Sequence, residues 1–163
     1  MASSVFGVPR STLDVDLVCD LRLGQVGGLV AALQDSYYAD ADMITDAVHA
    51  ESSFNLVHLA TMLKVDVFVR KSTPWDVEAF SRKSQRALDL TGTGRMFDLT
   101  TAEDIILHKL AWYRSGGEVS ERQWRDVAGV IAVQGSSLDR DYLTRWALSL
   151  GLTDLLERAF SGA

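Results

Sequence analysis

One cysteine, two prolines and three histidines in 163 residues leave several protein classes without their raw material. A lone Cys19 cannot close an intramolecular disulfide, so a stapled secreted scaffold is excluded, a reducing cytoplasmic setting fits, and the residue reads as a small buried hydrophobe. His49, His58 and His108 have no partners at zinc-ligand spacing. His108 follows Asp104 by four residues and suggests a surface pair, while His58 alone lies near a strand of interest below. No run of about eighteen apolar residues occurs, nor a basic leader ahead of an apolar stretch, so neither a membrane span nor a secretion signal is expected. There is no G-x-x-x-x-G-K-[ST] loop, no G-x-G-x-x-G turn and no nucleophile elbow, which removes the ATPase, dehydrogenase and serine-hydrolase classes. A surplus of positive charge is also missing: 16 Lys and Arg against 22 Asp and Glu give a net charge of −6. That balance opposes broad affinity for nucleic acid, though not nucleic acid held at a confined site. Arg82, Lys83, Arg86 and Arg95 cluster, and read as a solvated helix face rather than an RNA-contact patch.

What is present suffices for one domain with a substantial core: 47% hydrophobic and 23% charged residues. After a first strand, Leu23, Val26, Leu29, Val30 and Leu33 recur at helical spacing, predicting an amphipathic helix ending near Tyr37 and Tyr38. Gly24, Gly27 and Gly28 weaken it by about 1 kcal/mol each relative to alanine, which suggests close packing on a sheet. A short polar helix over Asp42 to Ala50 leads to strands at Ser53 to Leu59 and Met62 to Arg70. Pro74 fits the first turn of a helix reaching about Leu88, and Thr91-Gly92-Thr93-Gly94 marks a turn before a short strand at Arg95 to Leu99. Thr100 with Glu103, and Ser120 with Gln123, read as capping boxes opening two helices. Further helices cover Asp139 to Leu150, stopped by Gly151, and Asp154 to Phe160. The fold class is α/β (α+β): a small mixed β-sheet core over residues 1–100, carrying a C-terminal helical bundle over residues 101–163 within the same domain.

Two segments carry the chemistry. In Thr12-Leu13-Asp14-Val15-Asp16-Leu17-Val18, alternation sends Leu13, Val15 and Leu17 into the core and turns Asp14 and Asp16 together toward the other face. In the segment around Lys64, the residues Leu63, Val65, Val67 and Val69 form one face, and Lys64, Asp66 and Phe68 the other. If these strands pair, Asp66 joins Asp14 and Asp16. Aspartate is disfavoured in strands, and three of them on one presumed face make a divalent-cation seat. An all-oxygen donor set suits Mg²⁺ or Mn²⁺ rather than Zn²⁺.

Gly7-Val8-Pro9-Arg10-Ser11-Thr12-Leu13-Asp14-Val15-Asp16 with the later Lys64-Val65-Asp66-Val67 resembles the core of the DNA polymerase beta-like nucleotidyltransferases. Within them it looks closest to minimal abortive-infection toxin-type enzymes. Thr101-Ala102-Glu103-Asp104-Ile105-Ile106-Leu107-His108-Lys109-Leu110 and Trp124-Arg125-Asp126 are similar to that group's downstream helical motifs. The resemblance implies that Asp14, Asp16 and Asp66 are catalytic metal ligands, and that Arg10, Thr12, Lys109 and Asp126 bind nucleotide. It implies transfer of a nucleoside monophosphate from an NTP to a hydroxyl of RNA, protein or a small molecule. The family's Gly-Ser turn, which holds phosphates a short distance before the first aspartate, would fall upstream of Met1, thirteen residues before Asp14. A misassigned start, a shortened chain or a truncated paralogue is the expectation. The alternative function is a catalytically silent, antitoxin-like binding partner of the same fold.

On the helix from Thr101, Ile106, Lys109, Leu110 and Tyr113 share one side, so a lysine lies on an apolar, inward-facing stripe. A buried ammonium must find a partner; a triphosphate oxygen is one, and snorkelling to water is the alternative. Asp126 could position the acceptor or pair with Lys109, although Arg122 four residues earlier offers a surface pair. Arg10 could grip two phosphate oxygens or serve as a structural partner for a carboxylate.

Overall fold

The computed structural model describes residues 5–7, 15–87 and 96–162. The expected Asp14, Arg10 and Thr12 positions, Leu13, and the Thr91–Gly94 turn lie outside those residues. The chain is a mixed α/β protein whose described residues divide into two compact units, one of residues 15–80 and the other of residues 5–7, 81–87 and 96–162. Each is taken in turn.

In the first unit, β1 (Val15–Cys19) leads to α1 (Leu23–Leu33), β2 (Tyr37–Tyr38), α2 (Ala41–His49), β3 (Ser53–His58), β4 (Lys64–Val69) and α3 (Pro74–Ser81). The strands form one mixed sheet in the order β1-β4-β3-β2, with β1 parallel to β4 and the other neighbours antiparallel. Alternation decides its two faces. Phe54, Leu56, Val67 and Val69 turn to one side and pack with Val26 of α1 and Ile44 and Ala47 of α2. At roughly 25 cal/mol per Å² of apolar surface removed from water, this layer is the unit's main source of stability. The other face carries Asp16, Asn55, Lys64 and Asp66.

Several expectations change here. Leu17 points to the side of the sheet that carries the core but is 48% exposed, on a strand at the sheet's edge. Helix α1 stops at Leu33, and Tyr37 and Tyr38 form a short edge strand against β3 rather than a helix end. Gly24, Gly27 and Gly28 do not serve close packing, since a Cβ on any of them would meet nothing within 4 Å. Cys19 is half-buried against the core, and that burial pushes its thiol pKa up, away from reactivity.

The second unit holds β5 (Ser84–Ala87), β6 (Met96–Leu99), α4 (Ala102–Ser115), α5 (Glu121–Gln134), a 3₁₀ turn (Gly135–Ser137), α6 (Arg140–Leu150) and α7 (Thr153–Ser161). Helix α4 packs on α5 and α6, and α7 packs on the same two, closing a four-helix bundle. Ile106, Leu107, Leu110, Val127, Val130 and Leu143 fill its centre without solvent exposure. The helix predicted from Pro74 to about Leu88 ends at Ser81, and Ser84–Ala87 instead pair antiparallel with Met96–Leu99. Arg82, Lys83 and Arg86 therefore share no helix face: Lys83 reaches Asp98 at 3.1 Å, Arg82 enters a buried network and Arg86 lies on β5, while Arg95 falls outside the described residues. Helix α4 begins one residue later than expected, with Thr101 as the cap accepting from the Asp104 amide. Ser120 caps α5 from the Gln123 amide, and Gly151, at φ 68°, ends α6 in the left-handed conformation that glycine adopts at least cost. No helix among the described residues is long and apolar enough to cross a membrane.

Two outcomes follow for stability. Gly27→Ala should raise the first unit's unfolding free energy by about 0.5–1 kcal/mol in urea denaturation, since the alanine is helical and meets open space. The Ser72 hydroxyl and amide both donate to Glu51, and with Arg70 and Lys71 nearby they hold its carboxyl below the ordinary range. A depressed carboxylate contributes stability above its unfolded-state pKa and loses it as pH falls through the lowered folded value. Glu51→Gln should therefore flatten the acid limb of a stability-versus-pH curve; an unchanged slope would contradict this.

Candidate functional site

The parallel register between β1 and β4 sets Val15 opposite Val65, Asp16 opposite Asp66 and Leu17 opposite Val67. The antiparallel register between β3 and β4 sets Asn55 opposite Asp66. Asp16, Asp66 and Asn55 thus form one polar row across three strands. Adjacent strands lie about 4.8 Å apart, so the two carboxylates are near neighbours. Like charges directly opposite each other are unfavourable in a sheet, so the row needs a cation or a donor.

The structure supplies both to Asp66. The Asn55 side-chain amide donates to Asp66 Oδ1, and the Lys64 ammonium lies 2.9 Å from the same oxygen. Lys64 is two residues from Asp66 on the same strand face, so the pleat itself brings the two together. Its side chain is 57% exposed, whereas Asp66 is largely covered. Asp16 is exposed. Carboxylate oxygens are donors of the kind Mg²⁺ and Mn²⁺ accept, and Asp16 and Asp66 are the two that could hold such an ion, with water completing the shell. Asp14, the remaining expected ligand, lies outside the described residues. Among those residues no three His, Cys, Asp or Glu side chains gather as a metal-binding group.

Asn55 was not legible as a site residue from its identity. Its signal was positional: in Ser53-Phe54-Asn55-Leu56-Val57 it falls on the polar side of the alternation. His58 lies two positions beyond Leu56 and so turns to the opposite face from Asp66, its ring tilted against Tyr37 with centroids 5.0 Å apart and bonding Thr61 at 2.7 Å.

Lys109 and Asp126 belong to the second unit. Lys109 sits on α4 facing α5, with 13% of its side chain exposed; its ammonium donates to Asp126 Oδ2 at 2.7 Å and to Gln123 Oε1 at 3.0 Å. The expected buried ammonium therefore exists, and its partner is the carboxylate one helix away. On the exposed side of that helix Arg125 pairs with Glu121 at 2.7 Å.

A second constellation was not foreseen. Asp104 is fully buried, so it is no surface partner for His108. Its carboxylate accepts from the Thr101 hydroxyl at 2.8 Å and the Tyr142 hydroxyl at 2.5 Å, with Arg82 Nε 3.7 Å away. Arg82 lies 3.7 Å over the Tyr142 ring and also reaches Glu103 at 3.4 Å. Glu103 accepts from the Asp139 amide at 3.0 Å, and Asp139 caps α6. Both acids occupy the first turn of α4, where the helix dipole favours negative charge. The network joins the chain entering β5 to the starts of α4 and α6, a structural rather than a reactive arrangement.

Compared with family models, with curated proteins and with solved structures, the chain gives no match in any of the three.

Tyr142→Phe should leave one buried lone-pair set of Asp104 without its donor and lower the second unit's stability by roughly 1–3 kcal/mol in chemical denaturation. A loss below a few tenths would mean that Thr101 and Arg82 satisfy the carboxylate alone.

Proposed function

We propose that the Asp16–Asp66 row seats Mg²⁺ or Mn²⁺ and that the protein is a minimal, toxin-like nucleotidyltransferase. On this reading it moves a nucleoside monophosphate from an NTP to a hydroxyl of RNA, protein or a small molecule, in the cytoplasm. One observation carries the proposal: a parallel register that sets two aspartates directly opposite on one polar sheet face, where each is the unfavourable choice without a cation.

Phosphoryl transfer asks little covalent participation of a protein; a bound divalent ion neutralises phosphate oxygens and aligns the attacking and leaving groups. Asp16 and Asp66 would hold the ion, with Asp14 as the third ligand implied by the sequence. Asn55 fixes the Asp66 carboxylate from β3, so this ligand is orientated before anything binds. Arg10 and Thr12 are assigned to nucleotide binding by sequence resemblance alone. Lys109 and Asp126 keep that assignment as a proposal with a condition: to meet a phosphate, the Lys109 ammonium must exchange or share its bond to Asp126.

A second reading has one observation in its favour. The Lys64 ammonium already neutralises Asp66, as it would in a catalytically silent, antitoxin-like binding partner of the same fold.

The decisive measurement is transfer of α-labelled NTPs to a cell extract with Mg²⁺ or Mn²⁺, by this chain and by its Asp16→Asn and Asp66→Asn variants. Label incorporation should fall by about 10²-fold or more in either variant. The labelled species identifies RNA, protein or small molecule as acceptor. No incorporation by the unaltered chain would sink the enzymatic reading in favour of the silent one.

A further inference from the structure

We propose that Lys64 is a built-in counter-ion of the acidic row, which a divalent cation must displace, and that it thereby sets the threshold cation concentration at which the site fills. This rests on the cation seat proposed above and concerns its regulation.

The argument begins with the uneven burial of the pair. Asp66 is held in place by Asn55 from the neighbouring strand, whereas Lys64 is tethered to it by a single contact at 2.9 Å and keeps 57% of its side chain in solvent. An ion pair of this exposure contributes little to stability, and a four-carbon stem gives the ammonium freedom to leave. The carboxylate is thus the fixed member and the ammonium the mobile one. With the ammonium in place, the Asp16–Asp66 repulsion is relieved without metal. A divalent ion entering the row meets a positive charge on the same strand face, two residues from one of its ligands. A unit charge acting on a divalent ion at this range through water corresponds to roughly tenfold in affinity. Aspartate positions that would otherwise hold a cation permanently are in this way made responsive to its concentration.

The test is Mn²⁺ binding, followed by the electron paramagnetic resonance signal of the free ion, for the full chain and for Lys64→Met, Lys64→Arg, Lys71→Met and Asp66→Asn. Lys71 is an exposed lysine of the same unit outside the row. Lys64→Met should tighten binding about tenfold, whereas Lys64→Arg, which keeps the charge, and Lys71→Met should stay within about twofold of the unaltered chain. If Lys64→Met binds Mn²⁺ no tighter while Asp66→Asn abolishes binding, the cation seat stands and the counter-ion role is wrong. If Lys71→Met tightens binding as much as Lys64→Met, the effect is one of net charge and the proposal is likewise overturned. If neither the unaltered chain nor Lys64→Met binds Mn²⁺ saturably, the cation seat itself is refuted and the counter-ion role with it.

Discussion

The pairing of β1 with β4 is the constraint on which the candidate site depends. In a strand every second side chain changes face, so a slip of one residue would turn Asp16 to the side of Val15 and Cys19. The register is supported from the far side of the sheet, where Cys19 of β1 and Val65, Val67 and Val69 of β4 meet the layer formed with α1 and α2. The acid row on the near side is therefore positioned by hydrophobic burial that it takes no part in. This explains how a like-charged pair can persist: the apolar face fixes the geometry, and Lys64 and Asn55 relieve its electrostatic cost locally.

The second unit treats its charges differently. Asp104 has no exposure and is surrounded by donors from three separate segments, so its carboxylate acts as a junction between helix starts. Lys109 and Asp126 form the same kind of closed pair between α4 and α5. Burying such groups is tolerable because each has a short, well-directed partner; removal of one partner leaves the other as an uncompensated charge. The contrast between the units is one of solvent access. Asp16 in the Asp16–Asp66 row is exposed to solvent, while the Asp104 carboxylate is enclosed by donors of its own chain.

Much of this was legible in the pattern of residues. Alternation put Asp16 on the polar face of its own strand and Asp66 on the polar face of another, opposite Leu63, Val65, Val67 and Val69, because period-two patterning follows from strand geometry alone. Ser120 with Gln123 and the Asp139 and Gly151 boundaries were also readable, since capping uses a few residue types at fixed offsets. Four features were misread for identifiable reasons. Tyr37–Tyr38 and Ser84–Ala87 are strands only because a neighbour pairs with them. Helix α4 starts at Thr101 rather than Thr100 because Asp104, drawn inward by Tyr142, occupies the third helical position. The glycines of α1 mark no close contact, and nothing within reach of them in the structure requires their small size.

By itself the sequence determined the faces: which side chains of each strand and helix turn together, and hence that Asp16 turns away from Val15 and Leu17, and Asp66 from Val65 and Val67. Local geometry suffices for that, because it depends on residues two to four apart. Only the tertiary structure decided the partners. That Asp66 stands opposite Asp16 and Asn55, and that Lys109 is answered by Asp126 and Asp104 by Tyr142, depend on contacts eleven to fifty residues apart. Such contacts are set by burying one layer against another, which no local pattern encodes.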